Sequence, residues 1–347
     1  MKAFSYVFAF FPAVLFWFSL HAEGYGAWMC VAVVFGVIPI LEWFIGAKGS
    51  NLSEAQIEAR SQDKRFDWVL YLLVPTQWFF LLYFTDYFSF IEPRNWEFSE
   101  WGKILGMGIL CGSYGINVAH ELGHRSNKWE QRLAKSLLLT SLYMHFFIEH
   151  NRGHHKHVAT PEDPSSARIN EPVQFFWFRS MYQTWMKSWQ LEFERLKRNK
   201  QSPLHWSNQM LQFQVLQLAF LGVVYFLFGG NGLAALLLAA FIGAILLETI
   251  NYIEHYGLLR KMEANGFYES VETHHSWNSN HVIGRLLLFE LSRHSDHHFK
   301  SYKKYQELES AHNAPQMPTG YPGMMVLSMV FPLWFWIMNR RVAQFNS

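Results

Sequence analysis

Residues 101–124 read Trp101-Gly-Lys-Ile-Leu-Gly-Met-Gly-Ile-Leu-Cys-Gly-Ser-Tyr-Gly-Ile-Asn-Val-Ala-His120-Glu-Leu-Gly-His124. The stretch from Trp101 to Ala119 comes close to the roughly 20 residues that carry a helix across a bilayer. It runs without a break into two histidines four apart, which share a face if the helix continues. An apolar span ending in metal-type ligands is the pattern that sets the fold. Working outward, five more stretches have comparable length and composition: Phe4–Leu20, Tyr25–Ile45, Phe66–Phe90, Met210–Phe228 and Gly232–Ile253. Trp43, Trp68, Tyr87 and Trp101 flank them, as interfacial anchors do. The expected fold is an all-α integral membrane protein with six transmembrane helices and a cytoplasmic helical cap, residues 1–347 forming one membrane-embedded domain.

Composition agrees. Half of the 347 residues are hydrophobic and 16% are charged, against roughly 25% in soluble chains. A mean hydropathy of −0.01 still requires a sizeable polar part outside the lipid. The net charge of +2 excludes a strongly basic nucleic-acid binder and an acidic disordered chain, so no nucleic-acid partner is expected. Cys30 and Cys111 both lie in apolar runs, which excludes a disulfide scaffold and a four-cysteine metal centre. Gly108-x-x-x-Gly112, with Gly106 nearby, has a faint likeness to a dinucleotide loop, but no strand precedes it and close helix packing is the better reading. Lys2 and the first apolar run suggest a signal peptide, yet the Phe/Trp-rich core and the missing A-x-A site make it the first span.

Orientation follows from Lys and Arg. The connections 20–24, 91–100 and 229–231 contain only Arg94, whereas 46–65 holds Lys48, Arg60, Lys64 and Arg65. The segment 120–209 carries thirteen basic residues and the tail after 254 nine more. By the positive-inside rule the N-terminus, these three segments and the histidines are cytoplasmic. Residues 133–148 and 321–338 are apolar but short and read as buried or interfacial helices of the cap.

Seventeen histidines are the compositional excess. The cytoplasmic segments contain His120-Glu-Leu-Gly-His124, Glu149-His150-Asn-Arg-Gly-His154-His155, Asn251-Tyr-Ile-Glu254-His255 and Arg293-His294-Ser-Asp296-His297-His298. Helical spacing leads to the expectation that His150 with His154, and His294 with His297 and His298, each offer their rings to one point, as His120 and His124 do. Nine imidazoles exceed one ion's needs and suit two. Imidazole binds Fe, Cu, Ni and Zn alike. HELGH alone matches the HExxH zinc-protease motif, but seven further clustered histidines weigh against it. A metal transporter would want ligands along its spans rather than at their ends. His21, His205 and His312 read as surface residues; His145, His157, His274, His275 and His281 adjoin the motifs.

The stretches NxxHELGHR, HFFIEHNRGHHKHVATPEDPSSAR, NYIEHYGLLR, HHSWNSNH and LSRHSDHH resemble those of the integral-membrane alkane 1-monooxygenases, as does the tail from Tyr305-Gln306 through Pro318-Thr-Gly-Tyr-Pro-Gly323. The likeness covers nearly the whole chain in order. Leu291-Ser292-Arg293 departs from the family's frequent Leu-Gln-Arg, outside the histidine set. The HYG and HSWN stretches favour this family over the related histidine-box desaturases and aromatic-methyl or fatty-acyl hydroxylases. The resemblance implies two non-haem iron ions, ligated by His120, His124, His150, His154, His155, His255, His294, His297 and His298. It also implies hydroxylation of the terminal methyl of n-alkanes to primary alcohols with dioxygen, in the bacterial inner membrane. Electrons come in that family from rubredoxin; with no CxxC pair in this chain, rubredoxin and its NADH-dependent reductase would be separate proteins. Neutral ligands call for nearby carboxylates and orienting partners; the candidates are Glu121, Glu149, Asp163, Glu248, Asn251, Glu254 and Asp296. Glu248, Asn251 and His255 would share a face of the sixth span, where a carboxylate is costly and rarely idle. Val34, among small residues of the second span, is the candidate lining residue of a substrate tunnel entered from the lipid.

Overall fold

A computed structural model describes residues 2–345. Every regular element among them is helical, with β-type pairing confined to three isolated bridges. In chain order the helices are α1 (Ala3–His21), α2 (Gly24–Ile45), α3 (Glu54–Ser61), α4 (Arg65–Ser89), α5 (98–123), α6 (Lys128–Thr140), α7 (146–157) and α8 (Val173–Arg198). The 47-residue α9 (Gln209–His255) follows, then α10 (Val282–Leu287), α11 (His294–Phe299), α12 (Tyr321–Met329) and α13 (Phe331–Val342).

Four of them, α1, α2, α4 and α9, are long and apolar enough to cross a membrane. α9 holds two of the expected spans. A straight helix of its length would reach about 70 Å, more than twice a bilayer's hydrocarbon core. It breaks at Gly229, whose φ of 66° and ψ of −172° suit only glycine. The two arms fold back on each other, as their contacts with α8 show. Glu192 Oε2 accepts from the backbone N–H of Gln209, and Trp177 Nε1 donates to Thr249 Oγ1, each at 2.9 Å. Gln209 and Thr249 would be about 60 Å apart in a straight helix, yet Trp177 and Glu192 lie about 22 Å apart along α8.

α5 contains the expected span 101–119 but buries most of its side chains inside the protein. Its glycines allow close approach to the second arm of α9. A Cβ on Gly108 would sit 2.6 Å from Ile242 Cβ, and one on Gly243 would sit 2.6 Å from Cys111 Cβ. The Gly108–Gly112 motif is therefore a packing seam between helices, with backbones in contact where side chains would hold them apart. Around this seam runs one large apolar core, and a smaller one lies beneath α12 and α13. The apolar stretch 321–338 thus forms two short helices meeting at Val330. The stretch 133–148 is broken after Thr140, where Leu142 takes a positive φ of 51°. The 26-residue α8 was not apparent from the sequence.

Candidate metal centre

The nine histidines of the four motifs come together in two groups at one end of the helical body. His120, His124, His150, His155 and His297 form one; His154, His255, His294 and His298 form the other. In each the rings converge through Nε2. In the first, His120 lies 3.0 Å from His297 and 3.2 Å from His124, and His150 lies 3.0 Å from His124 and 3.1 Å from His155. In the second, His298 lies 2.9 Å from His294 and 3.2 Å from His154, and His294 lies 3.1 Å from His255. The groups abut, with the His155 and His298 ring centres 4.5 Å apart.

These separations test the fit of a metal directly. Two nitrogens each about 2.1 Å from an ion, at right angles, are about 3.0 Å apart. Nitrogens converging this tightly suit an ion far better than one another, since a neutral imidazole has a single N–H to donate. Burial holds His124 at about 3 and His150, His155, His294, His297 and His298 well below the usual histidine range. The rings are therefore neutral at pH 7, the form that binds metals. His154 differs: burial opposes its protonation, but Asp163 at its Nδ1 outweighs that and raises its pKa.

The grouping corrects the expectation that each motif serves one point. His150 and His154 go to different groups, and so do His297 and His298. The cause is helical pitch. Residues 150–154 are π-helical, and its wider i→i+5 turn aligns His150 with His155 instead of His154. On α11, His294 and His298 are four apart and share a face, while His297 projects about 100° from His298 and about 60° from His294, on the other side. Two adjacent helical residues can thus serve two neighbouring ions.

The partner residues are distributed unevenly. Asp163 Oδ2 lies 2.9 Å from His154 Nδ1 and accepts from Ser166 Oγ at 2.6 Å. Glu254 Oε2 lies 3.2 Å from His294 Nε2, on the converging side of the ring, while Tyr321 O–H donates to its Oε1 at 2.7 Å. Ser276 Oγ lies 3.5 Å from His255 Nδ1, and the His275 carbonyl also hydrogen-bonds that ring. Both carboxylates adjoin the four-histidine group. The other candidates bond elsewhere: Glu121 to Arg125 and the Tyr305 N–H, and Asp296 to Lys303 and the Glu309 N–H. Glu248 accepts from Tyr143 O–H at 2.7 Å and from Asn251 Nδ2 at 3.3 Å, so the pair does share a face of α9. Glu149 lies over Gly153, buried, with its pKa raised by burial and by the charge of Asp163. Tyr321 and Ser276 were missed as positioning residues, although Tyr321 stands within the Thr-Gly-Tyr-Pro-Gly motif and Ser276 within HHSWNSNH. Of the remaining histidines, His21 pairs with Tyr83, His157 with Glu162, His205 with Ser207, His275 with Glu269 and His281 with Ser279.

Asp163→Ala should lower metal affinity or activity by about 10–100-fold, the usual effect of removing a carboxylate that orients a ligating histidine. Metal content and turnover of the purified variant check this. Values equal to the unsubstituted protein would show that Asp163 only braces the 158–166 turn.

Val34 is buried and lines a narrow apolar cavity of about 60 Å³ between α2, α5, α9 and α12, with Phe35, Ile109, Gly112, Leu246 and Ile250. Gly112 and Ile250 also line a smaller cavity that ends on His120, His150, His294, Asn251 and Glu254. The two cavities share Gly112 and Ile250 as a common wall.

Comparisons with known proteins fit this geometry. Residues 99–328 match the fatty acid desaturase family. Alkane 1-monooxygenase 2 of Pseudomonas aeruginosa is 37% identical over 335 residues, covering 96% of this chain and 89% of the relative. Alkane 1-monooxygenase 1 of Alcanivorax borkumensis is 37% identical over 330 residues, covering 94% and 81%. The hydroxylase component of xylene/toluene monooxygenase of Pseudomonas putida is 32% identical over 235 residues, covering 67% and 62%. With its histidine groups, its apolar spanning helices and likeness over most of its length, the chain belongs to the alkane 1-monooxygenase family and also to the fatty acid desaturase family.

Proposed function

We propose that this protein hydroxylates the terminal methyl of n-alkanes to primary alcohols, using dioxygen and electrons from a separate rubredoxin and its NADH-dependent reductase. The observation that carries the reading is the convergence of nine imidazoles in groups of five and four where an apolar cavity ends. Iron is the occupant the family implies. Two irons held by these imidazoles would supply oxygen activation and electron storage. The chain's own residues do the rest. The imidazoles fix the ions' positions, and Asp163 and Glu254 offset charge beside the four-histidine group. Leu247, Ile250 and Leu291 keep the approach apolar, so a methyl group rather than water is held there.

In this reading the chain is a single domain with six spans in the inner membrane. α5 and the two arms of α9 complete the count, and the N-terminus and histidine end face the cytoplasm, as the distribution of Lys and Arg favours. A groove of about 690 Å³ at His157 supports a cytoplasmic donor site: Arg152, Lys156, Lys187, Arg195 and Arg198 line it against Glu162 and Glu194. Association of an acidic rubredoxin with this surface should weaken with salt, because screening shortens to about 8 Å at 0.15 M. Turnover limited by rubredoxin is therefore expected to fall as ionic strength rises. A flat response would argue against electrostatic docking.

The defining experiment combines the purified protein, iron, rubredoxin, its reductase and an n-alkane series, with products identified by gas chromatography. Primary alcohols are expected. Alkenes from acyl substrates would make the protein a desaturase, and cleaved peptides with stoichiometric zinc a protease.

A further inference from the structure

We propose that α8 lies flat in the membrane surface, its aromatic stripe set into the boundary between lipid headgroups and acyl chains. The helix has three faces. Phe176, Ser180, Thr184, Ser188 and Glu192 are buried against the protein. Lys187, Gln190, Glu194 and Arg198 border the basic groove. The third face carries Phe175, Phe178, Tyr182, Trp185, Met186 and Phe193, all exposed; Phe175, Tyr182 and Phe178 reach 72%, 65% and 62%. So large an apolar stripe on one helix marks an interaction surface.

Lipid is the occupant because of where the helix is pinned. Glu192 holds the N–H of Gln209, the first residue of one membrane-spanning arm, and Arg195 donates to the Ser207 carbonyl at 2.7 Å. Trp177 holds Thr249, near the last turn of the other arm. α8, about 39 Å long, therefore bridges the same-side ends of two antiparallel spans, the arrangement of a helix that runs along the membrane plane. Leu204 and Trp206, each 80% exposed just before Gln209, extend the stripe to the span itself. Aromatic rings on one face with charged groups on the next is the make-up of helices that lie in the interface. The inference depends on α9 crossing the membrane and is independent of the metal and the reaction. It places part of the segment 120–209 in the headgroup layer instead of in free cytoplasm.

The test uses the full-length protein in phosphatidylethanolamine/phosphatidylglycerol nanodiscs, with nitroxide labels at Phe178→Cys, Tyr182→Cys and, on the polar face, Gln190→Cys. Cys30 and Cys111 are buried and stay in place. Labels at 178 and 182 should collide with oxygen in preference to a water-soluble nickel chelate several-fold more than the label at 190. Equal nickel access at all three positions would overturn the proposal. So would low access to both reagents with dipolar broadening between labels, which would assign the stripe to a second copy. Hydroxyl-radical footprinting of the unsubstituted protein gives a readout free of folding effects: Tyr182 and Trp185 should be protected in nanodiscs, and full oxidation there would equally overturn it.

Discussion

Replacing His120 and His297 together by Ala should remove about one of two bound metal ions, whereas replacing His294 and His297 together should remove both. The first pair lies within the five-histidine group; the second takes one ring from each group although its members are three residues apart. Every single substitution among the nine should lower hydroxylation by more than about 100-fold, because removing a partner that merely orients a ligand already costs 10–100-fold. His21→Ala and His312→Ala should leave activity near that of the unsubstituted protein, since both side chains are exposed and neither joins a group. Iron counted on the purified variants, with alcohol formation from one alkane, checks both statements. Equal metal loss from the two double variants would mean that the rings form one joint site and that the division into five and four has no chemical meaning.

That division marks how far the sequence could be read. Histidine spacing was legible because an i, i+4 pair on a regular helix must share a face, and His120 with His124 and His294 with His298 do so. What spacing could not convey is the local change of pitch at 150–154, where a π turn pairs His150 with His155. No side-chain pattern announces such a turn, since it depends on how the backbone is packed from outside. The four helices long and apolar enough to cross a membrane were legible from apolar length, and the connection 229–231 was legible as the place where α9 breaks. The helix α8 was not, because its 26 residues mix aromatic and charged side chains and form no apolar run. Among the carboxylates, Asp163 and Glu254 reach histidines, whereas Glu121 and Asp296 are held by Arg125 and Lys303. Sequence proximity to a ligand places a carboxylate near the centre but does not orient it; the competing cations decide.

Val34→Trp should shift the substrate range toward short alkanes. Val34 sits in the π-helical stretch Val33–Val37 of α2, buried, on the wall of the apolar cavity. That cavity shares Gly112 and Ile250 with the one ending on the histidines, so a chain whose methyl lies against His120 and His294 would run back past Val34. The lining there is almost wholly apolar, and the gain for a linear substrate is about 0.8 kcal/mol for each methylene buried. An indole at position 34 would occupy the room of several methylenes. Losing four of them costs about 3 kcal/mol, on the order of a 100-fold loss in affinity, and only substrates long enough to reach that wall would suffer it. The measurement is relative turnover from hexane to hexadecane by both proteins in the same membranes, with bound iron matched between them. Long alkanes should lose far more than short ones. A uniform loss at every length would mean that Val34 only packs α2 against its neighbours, and the substrate path would then have to leave the cavity along the α5 or α9 wall.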